Sequence, residues 1–271
     1  MNRSAAALPI GVFDSGVGGL TVLRALRAVL PAEDFIYLGD TARLPYGTKS
    51  AATVVRYSLQ CAAALSARRI RCLVVACNTA SASALGVLRA QYPAIPVIGV
   101  IEPGAAAAVA ASASQRIAVI GTESTIGGGA YQRAIERLNP SARVTAAACS
   151  LFVSMAEEGW ISGPIAEAVA HRYLDPIFQR DDAPDTLVLG CTHFPALAGA
   201  IHRVLPPQVR LVDSAATTAA AVLQTLGATQ AAGAGGAVTW LATDGAERFA
   251  RVGSAFLGES LRAEAIEIID L

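Results

Sequence analysis

Short apolar runs recur along the chain, each followed by a longer stretch in which apolar positions return every three or four residues. The runs at 10–13, 34–38, 72–76, 97–100, 117–120, 143–147, 186–189, 210–212 and 238–242 read as strands. The stretches at 19–29, 51–68, 81–91, 126–138, 165–178 and 196–204 read as amphipathic helices. Strands that are apolar throughout, rather than at alternate positions, are buried on both faces. Strand and helix in turn therefore predict a parallel α/β architecture. Alanine is abundant and is tolerated on either helical face, so it blurs the helical pattern. Pro103-Gly104 and Pro206-Pro207 carry turn chemistry, and domain crossings are expected near both. The Gly/Ala stretch from Gly233 to Gly236 reads as a flexible surface connection.

The pattern also repeats. Ile10-Gly11-Val12-Phe13-Asp14-Ser15-Gly16 resembles Ile117-Ala118-Val119-Ile120-Gly121-Thr122-Glu123, more than a hundred residues further on. A similar offset separates Cys77 from Cys191, each placed after an apolar run and before polar residues suited to a helix start. Two like units facing each other would bring these strand ends to one cleft, where α/β folds hold their ligands.

Composition narrows the class. The 271 residues fit one large or two modest domains, and the formal net charge of zero gives no field favouring nucleic acid or an anionic membrane. The most apolar stretch, 105–113, is about half the ~20 residues a membrane span needs. Residues 1–8 read as a short tail without the features of a secretory signal. Five irregularly spaced cysteines argue for a reducing compartment, the cytoplasm, rather than a disulfide framework.

Candidate chemistry gathers at the strand ends. Cys77 is followed by Asn78 and Thr79, with Thr79 or Ser81 available to cap a helix whose N-terminus would favour a thiolate. Cys191 is followed by Thr192 and His193, the latter a plausible proton partner. Cys61, Cys72 and Cys149 read as core residues, and His171 and His202 as ordinary helical ones. Asp14-Ser15-Gly16-Val17-Gly18-Gly19 permits close backbone approach but has Thr21 where a dinucleotide fingerprint needs its third glycine. A carboxylate at its mouth suits an ammonium group or a thiol better than pyrophosphate, although a helix-capping role would also explain it. The loop Leu44-Pro45-Tyr46-Gly47-Thr48-Lys49-Ser50 lacks the phosphate-loop glycine and reads as a rigid loop with an aromatic lid. Glu157 and Glu158, at a helix end, would ordinarily be solvated. No second Cys/His pair accompanies Cys191 and His193, so metal binding is not expected.

Taken in order, Gly11–Thr21, Leu44-Pro45-Tyr46-Gly47, Ala76-Cys77-Asn78-Thr79-Ala80-Ser81 and Leu189-Gly190-Cys191-Thr192-His193-Phe194-Pro195 resemble the glutamate racemase family, within the cofactor-independent aspartate and glutamate racemases. Two positions depart from the family pattern, Phe194 for a frequent tyrosine and Ser154 for a frequent proline. The resemblance implies two pseudo-symmetric parallel-sheet α/β domains with the active site in the cleft between them. The first domain is expected at 1–101 plus 210–271, with the second inserted at 102–209. It implies interconversion of L- and D-glutamate, serving peptidoglycan synthesis and hence cell-wall biogenesis and cell shape. Cys77 and Cys191 would be the two bases, Asp14 assisting the first and His193 and Glu157 the second. Ser15, Tyr46, Gly47, Asn78, Thr79, Thr192 and His193, with Asp14, would hold the substrate. Glutamate is the expected small-molecule partner, with no cofactor, membrane or nucleic acid, and a homodimer stays open as the assembly. His193 favours glutamate over aspartate, for which a glutamate is expected at that position. Lys49, the sole lysine, is the one anchor a pyridoxal-phosphate racemase would have. The rival classes are a nicotinamide oxidoreductase built on the glycine-rich turn and a catalytically silent relative.

Overall fold

A computed structural model describes residues 8–227 and 236–271, so most of the expected tail and the 233–235 part of the Gly/Ala stretch lie outside the described residues. Two parallel sheets form the frame. The first has the order β10 (Ile266–Ile268), β9 (Val238–Ala242), β2 (Phe35–Gly39), β1 (Ile10–Asp14), β3 (Cys72–Val75), β4 (Val97–Gly99), and the second β6 (Arg143–Ala148), β5 (Arg116–Gly121), β7 (Thr186–Gly190), β8 (Arg210–Asp213). In the first, β1, β2, β3 and β4 are joined by α1 (Leu20–Val29), α2 (Ala51–Ala67) and α3 (Asn78–Gln91). The second repeats the plan. Its strands are joined by α5 (Glu123–Gly127), α6 (Ala130–Leu138), α7 (Leu151–Glu158), α8 (Gly163–Phe178) and α9 (Ala198–Val204).

Strand for strand, β2-β1-β3-β4 corresponds to β6-β5-β7-β8, so the repeat read from sequence is a repeat of topology. Parallel pairing runs through both sheets, with Ile10 beside Phe35 and Cys72 in one and Ile117 beside Val144 and Thr186 in the other. Parallel pairing puts the carboxyl ends of each sheet's strands on one edge of that sheet. β1, β2, β3 and β7 are buried along their whole length, as their apolar runs require. β6, on the edge of the second sheet, is mostly partly exposed or exposed. One core cluster runs from Ile10 and Val12 of the first sheet to Leu187 and Leu189 of the second, so the domains share apolar packing behind the cleft.

Some boundaries differ from expectation. Residues 210–213, expected in the first domain, form β8, which pairs with β7 and completes the second sheet. Pro103-Gly104 lies inside α4 (Ile101–Ala111) rather than in a turn, since a helix's first turn needs no amide hydrogen from proline. Pro206-Pro207 separates α9 from β8 within the second domain and marks no crossing. The chain returns through α10 (Ser214–Leu226), which packs against α1, to β9 (Val238–Ala242), α11 (Ala246–Leu257) and the edge strand β10 (Ile266–Ile268). No helix among the described residues is long and apolar enough to cross a membrane.

Candidate active site

Cys77 and Cys191 follow β3 and β7, the equivalent strands of the two sheets, and both are buried. Each strand ends where hydrogen bonding to β1 or β5 stops, so the next residue turns out of the sheet at the cleft. Cys77 is itself the N-cap of α3, with extended backbone angles. The expected caps act elsewhere. Ser81 Oγ donates to Val75 O at 2.9 Å and accepts from Val100 N at 3.2 Å. Thr79 Oγ1 reaches Thr122 Oγ1 and Thr125 Oγ1 of the second domain, each at 3.0 Å.

The surroundings of the two thiols differ. Cys77 Sγ donates to Ser15 Oγ at 3.6 Å. Its pKa is pushed up to about 12, first by burial and then by the Asp14 charge, with the Ala80 amide and Ser15 hydroxyl opposing. The helix N-terminus expected to favour a thiolate acts here through the Ala80 amide, but burial and the neighbouring carboxylate outweigh it. Cys191 adds to the upward push, so the sulfurs are near enough for one charge to oppose the other.

Cys191 Sγ lies 3.8 Å from His193 Nδ1, and His193 Nε2 lies 3.1 Å from Glu157 Oε1. Burial alone would lower the His193 pKa. The bonds to Cys191 and Glu157, with the nearby Cys191 and Asp14 charges, instead raise it to about 10. Glu157 shows the matching effect: burial would raise its pKa, but His193 and Arg248 hold it below the ordinary carboxylate range. Of the adjacent glutamates, Glu157 enters the site and Glu158 is exposed. Glu157 is not the solvated helix-end residue its sequence context suggests, because α7 turns it toward His193.

Asp14, fully buried at the end of β1, accepts from Gly16 N at 2.9 Å and from Thr192 Oγ1 at 3.5 Å. It thus both caps its own loop and touches the Cys191 side. Burial raises its pKa, against the pull of His193 and the loop amides. The glycines after it serve close packing. A Cβ on Gly19 would stand 2.5 Å from Asp14 Cβ, and one on Gly18 would stand 2.6 Å from His193 Nδ1. The space over Gly18 is filled by Thr192 and His193 of the second domain, and that over Gly19 by Asp14 and Ala76 of its own, which leaves no room there for a dinucleotide.

Tyr46 is not a lid. It is buried, and its hydroxyl donates to Asp40. Gly47 presses its backbone on Thr122, where a Cβ would come within 2.5 Å. Asn78 Nδ2 donates to Tyr131 OH at 2.9 Å, while its buried Oδ1 has no partner. Thr122, Thr125 and Tyr131 are thus joined to expected site residues although sequence reasoning passed over them. The repeat carried a signal for one of them, since it aligns Thr122 with Ser15. Arg248, 2.6 Å from Glu157 Oε2, had no such signal. His171 and His202 sit on exposed helical positions away from the cleft, and no cluster of three or more potential metal ligands occurs among the described residues.

Paired thiols at mirrored strand ends, each with its own polar support, define the class as a two-domain α/β amino-acid racemase. The chain belongs to the Asp/Glu/Hydantoin racemase family, whose model matches residues 10–222, and within it to the glutamate racemases. It is 51% identical to the glutamate racemase of Geobacter metallireducens over 255 residues, covering 93% of each chain. It resembles the crystal structure of glutamate racemase from Francisella tularensis in complex with D-glutamate, with TM-score 0.88, 37% identity and 98% of each chain covered. The Thermus thermophilus glutamate racemase in complex with β-chloro-D-alanine is similar too, with TM-score 0.85, 43% identity and the same coverage.

Proposed function

We propose that this chain interconverts L- and D-glutamate without a cofactor, one of Cys77 and Cys191 removing the Cα proton and the other returning one to the opposite face, supplying D-glutamate for peptidoglycan in the cytoplasm. The observation that carries this reading is the convergence of two thiols from equivalent strands on one buried cleft, where charge on Cys191 opposes the ionisation of Cys77. In either direction one sulfur begins as thiolate and takes the Cα proton. The opposite thiol then gives its proton to the other face of the planar carbanion, leaving the enantiomer and an exchanged thiol–thiolate pair. Two opposed bases spare a single base from crossing the substrate plane.

The surroundings support different starting states. Burial beside Asp14 favours Cys77 as the thiol, whereas Cys191 faces the His193 imidazole, whose pKa is raised to about 10. Asp14 assists Cys77, and His193 with Glu157 assists Cys191. Ser15, Tyr46, Gly47, Asn78, Thr79, Thr192 and His193, with Asp14, hold the amino and carboxylate groups. An ammonium group would supply the partner that Asn78 Oδ1 lacks. Fixed hydroxyl, amide and backbone donors in a dry cleft stabilise the carbanion's charge as it develops.

Deuterium uptake at Cα from heavy water, followed for each enantiomer separately, tests the scheme. Cys77→Ser and Cys191→Ser should each lower racemisation by about 10³-fold or more, yet retain one-sided chemistry such as exchange or β-elimination from a substrate analogue. A serine variant that still racemises at the wild-type rate rules the two-base scheme out.

A further inference from the structure

One charged contact at the cleft crosses from one domain to the other and belongs to no motif. Arg248 lies on α11, which packs against α1 and β10 of the first domain. Its guanidinium donates to Glu157 Oε2 at 2.6 Å. Glu157 ends α7, which packs in the second domain, with Phe152 of α7 edge-on to Phe194 just after Cys191. The other Glu157 oxygen holds His193 Nε2, and His193 Nδ1 faces the Cys191 sulfur. Glu157 is thus used at both oxygens, one for each domain. Its side chain is 13% exposed and that of Arg248 49%, so one end of the chain is buried and the other reaches solvent. A cavity of about 270 Å³, lined by Val17, Leu44, Phe249 and Val252 among others, opens beside this pair.

We propose that Arg248 is a positioning residue for the Cys191 half of the reaction, tying the Cys191–His193–Glu157 chain of the second domain to the first. Arg248 touches neither sulfur and exchanges no proton. With both carboxylate oxygens engaged, Glu157 has one orientation, and that orientation aims the imidazole at Cys191. An outer partner that orients the residue orienting a reacting group is commonly worth about 10- to 100-fold in function. Arginine suits the place because its planar fork keeps its charge and geometry with one face in solvent. The groups facing this chain are Asp14 and Cys191 at His193, and His193 and Arg248 at Glu157. The inference rests on the two-base reading above.

The test compares Arg248→Gln, Arg248→Lys and a control, Arg203→Gln, which breaks an exposed pair with Glu167 far along α9. Both directions of racemisation must keep equal kcat/KM, because enantiomers are equally stable. The discriminating readout is therefore the primary isotope effect with Cα-deuterated substrate. Arg248→Gln should lower kcat/KM about tenfold and Arg248→Lys should recover much of that loss. The isotope effect should rise for the enantiomer whose Cα–H faces Cys191 and fall for the other, since only one of the two proton transfers has been weakened. Wild-type kcat/KM in Arg248→Gln overturns the proposal. A loss with both isotope effects unchanged, or one shared by Arg203→Gln, also overturns it by pointing to general structural damage. Inactive cysteine variants beside an unaffected Arg248→Gln would reject this inference and leave the two-base scheme standing, while active cysteine variants would reject the scheme itself.

Discussion

Gly18→Ala is a wedge driven into the contact between the domains. Gly18 does not need a positive φ, so alanine's backbone preferences add no strain and the added methyl acts by size alone. That methyl would overlap Thr192 Oγ1 and stand 2.6 and 2.7 Å from His193 Nδ1 and Cε1. Carbon contacts settle at about 3.5–4.0 Å, so the imidazole must retreat by about 1 Å. It has nowhere easy to go, being held by Glu157 on one nitrogen, by Cys191 on the other and by Phe256 edge-on at 5.2 Å. The domains separate instead, or His193 leaves Cys191. A misplacement of about 1 Å in a catalytic group costs on the order of 10²-fold in rate, and overpacking costs about 1–3 kcal/mol of stability. Racemisation followed by polarimetry, with thermal unfolding of the same samples, measures both. Gly86→Ala is the matched control. Nothing lies within 4 Å of its added methyl in α3, so it should gain about 0.5–1 kcal/mol and keep full activity. Wild-type kcat/KM in Gly18→Ala would refute the claim that this loop sets the position of His193.

Two further outcomes follow from burial. His193 titrates near 10 in the folded protein against an ordinary value of 6.5, so its charged contacts add stability in full below about pH 6.5 and lose it as pH rises through about 10. The difference in Tm between wild type and His193→Gln should therefore shrink steadily over that window; a gap that widens with pH contradicts the charge placed on His193. Tyr131→Phe should cost about 1–3 kcal/mol in urea unfolding, because Asn78 Nδ2 loses its buried partner, and should raise KM more than it lowers kcat. Unchanged stability would mean that Asn78 finds another acceptor.

Much of the frame was legible because parallel strands are buried on both faces and stand out as apolar runs. The likeness of the β1 and β5 runs was legible for the same reason, and together with the matching contexts of Cys77 and Cys191 it pointed to one cleft. β10 escaped notice because Ile266-Glu267-Ile268 is too short to show a period and makes its single pairing at a sheet edge. α10 escaped because its alanines and threonines leave little contrast between its faces; α11 has a clear apolar face of Phe249, Val252, Phe256 and Leu257, so its pattern was there to be read. Of the site, residues beside each cysteine could be read, since strand ends are where side chains converge. The protonation of the site could not be, for burial and charge at Cys77 are properties of the closed cleft rather than of its neighbours in sequence. Tyr46 shows the same limit. An aromatic in a loop reads as a lid until Asp40 and Cys61 are seen to enclose its hydroxyl.

The two halves of the fold are alike and the two halves of the chemistry are not. β3 and β7 deliver their cysteines equivalently, yet Cys77 meets a carboxylate and a hydroxyl whereas Cys191 meets an imidazole backed by a second carboxylate. A symmetric site would give each thiol the same affinity for the shared proton arrangement and offer no preferred resting state. Asymmetry can set one: burial and Asp14 push the Cys77 thiol up, while Cys191 faces the His193 imidazole. The substrate must then supply what the resting site withholds from Cys77. Its ammonium, drawn to buried Asp14, would offset the carboxylate that opposes the Cys77 thiolate, so binding itself would bring the second base within reach. Duplication of a strand-and-helix unit explains where the sulfurs are, and divergence of the residues around them explains how one proton can be moved in either direction.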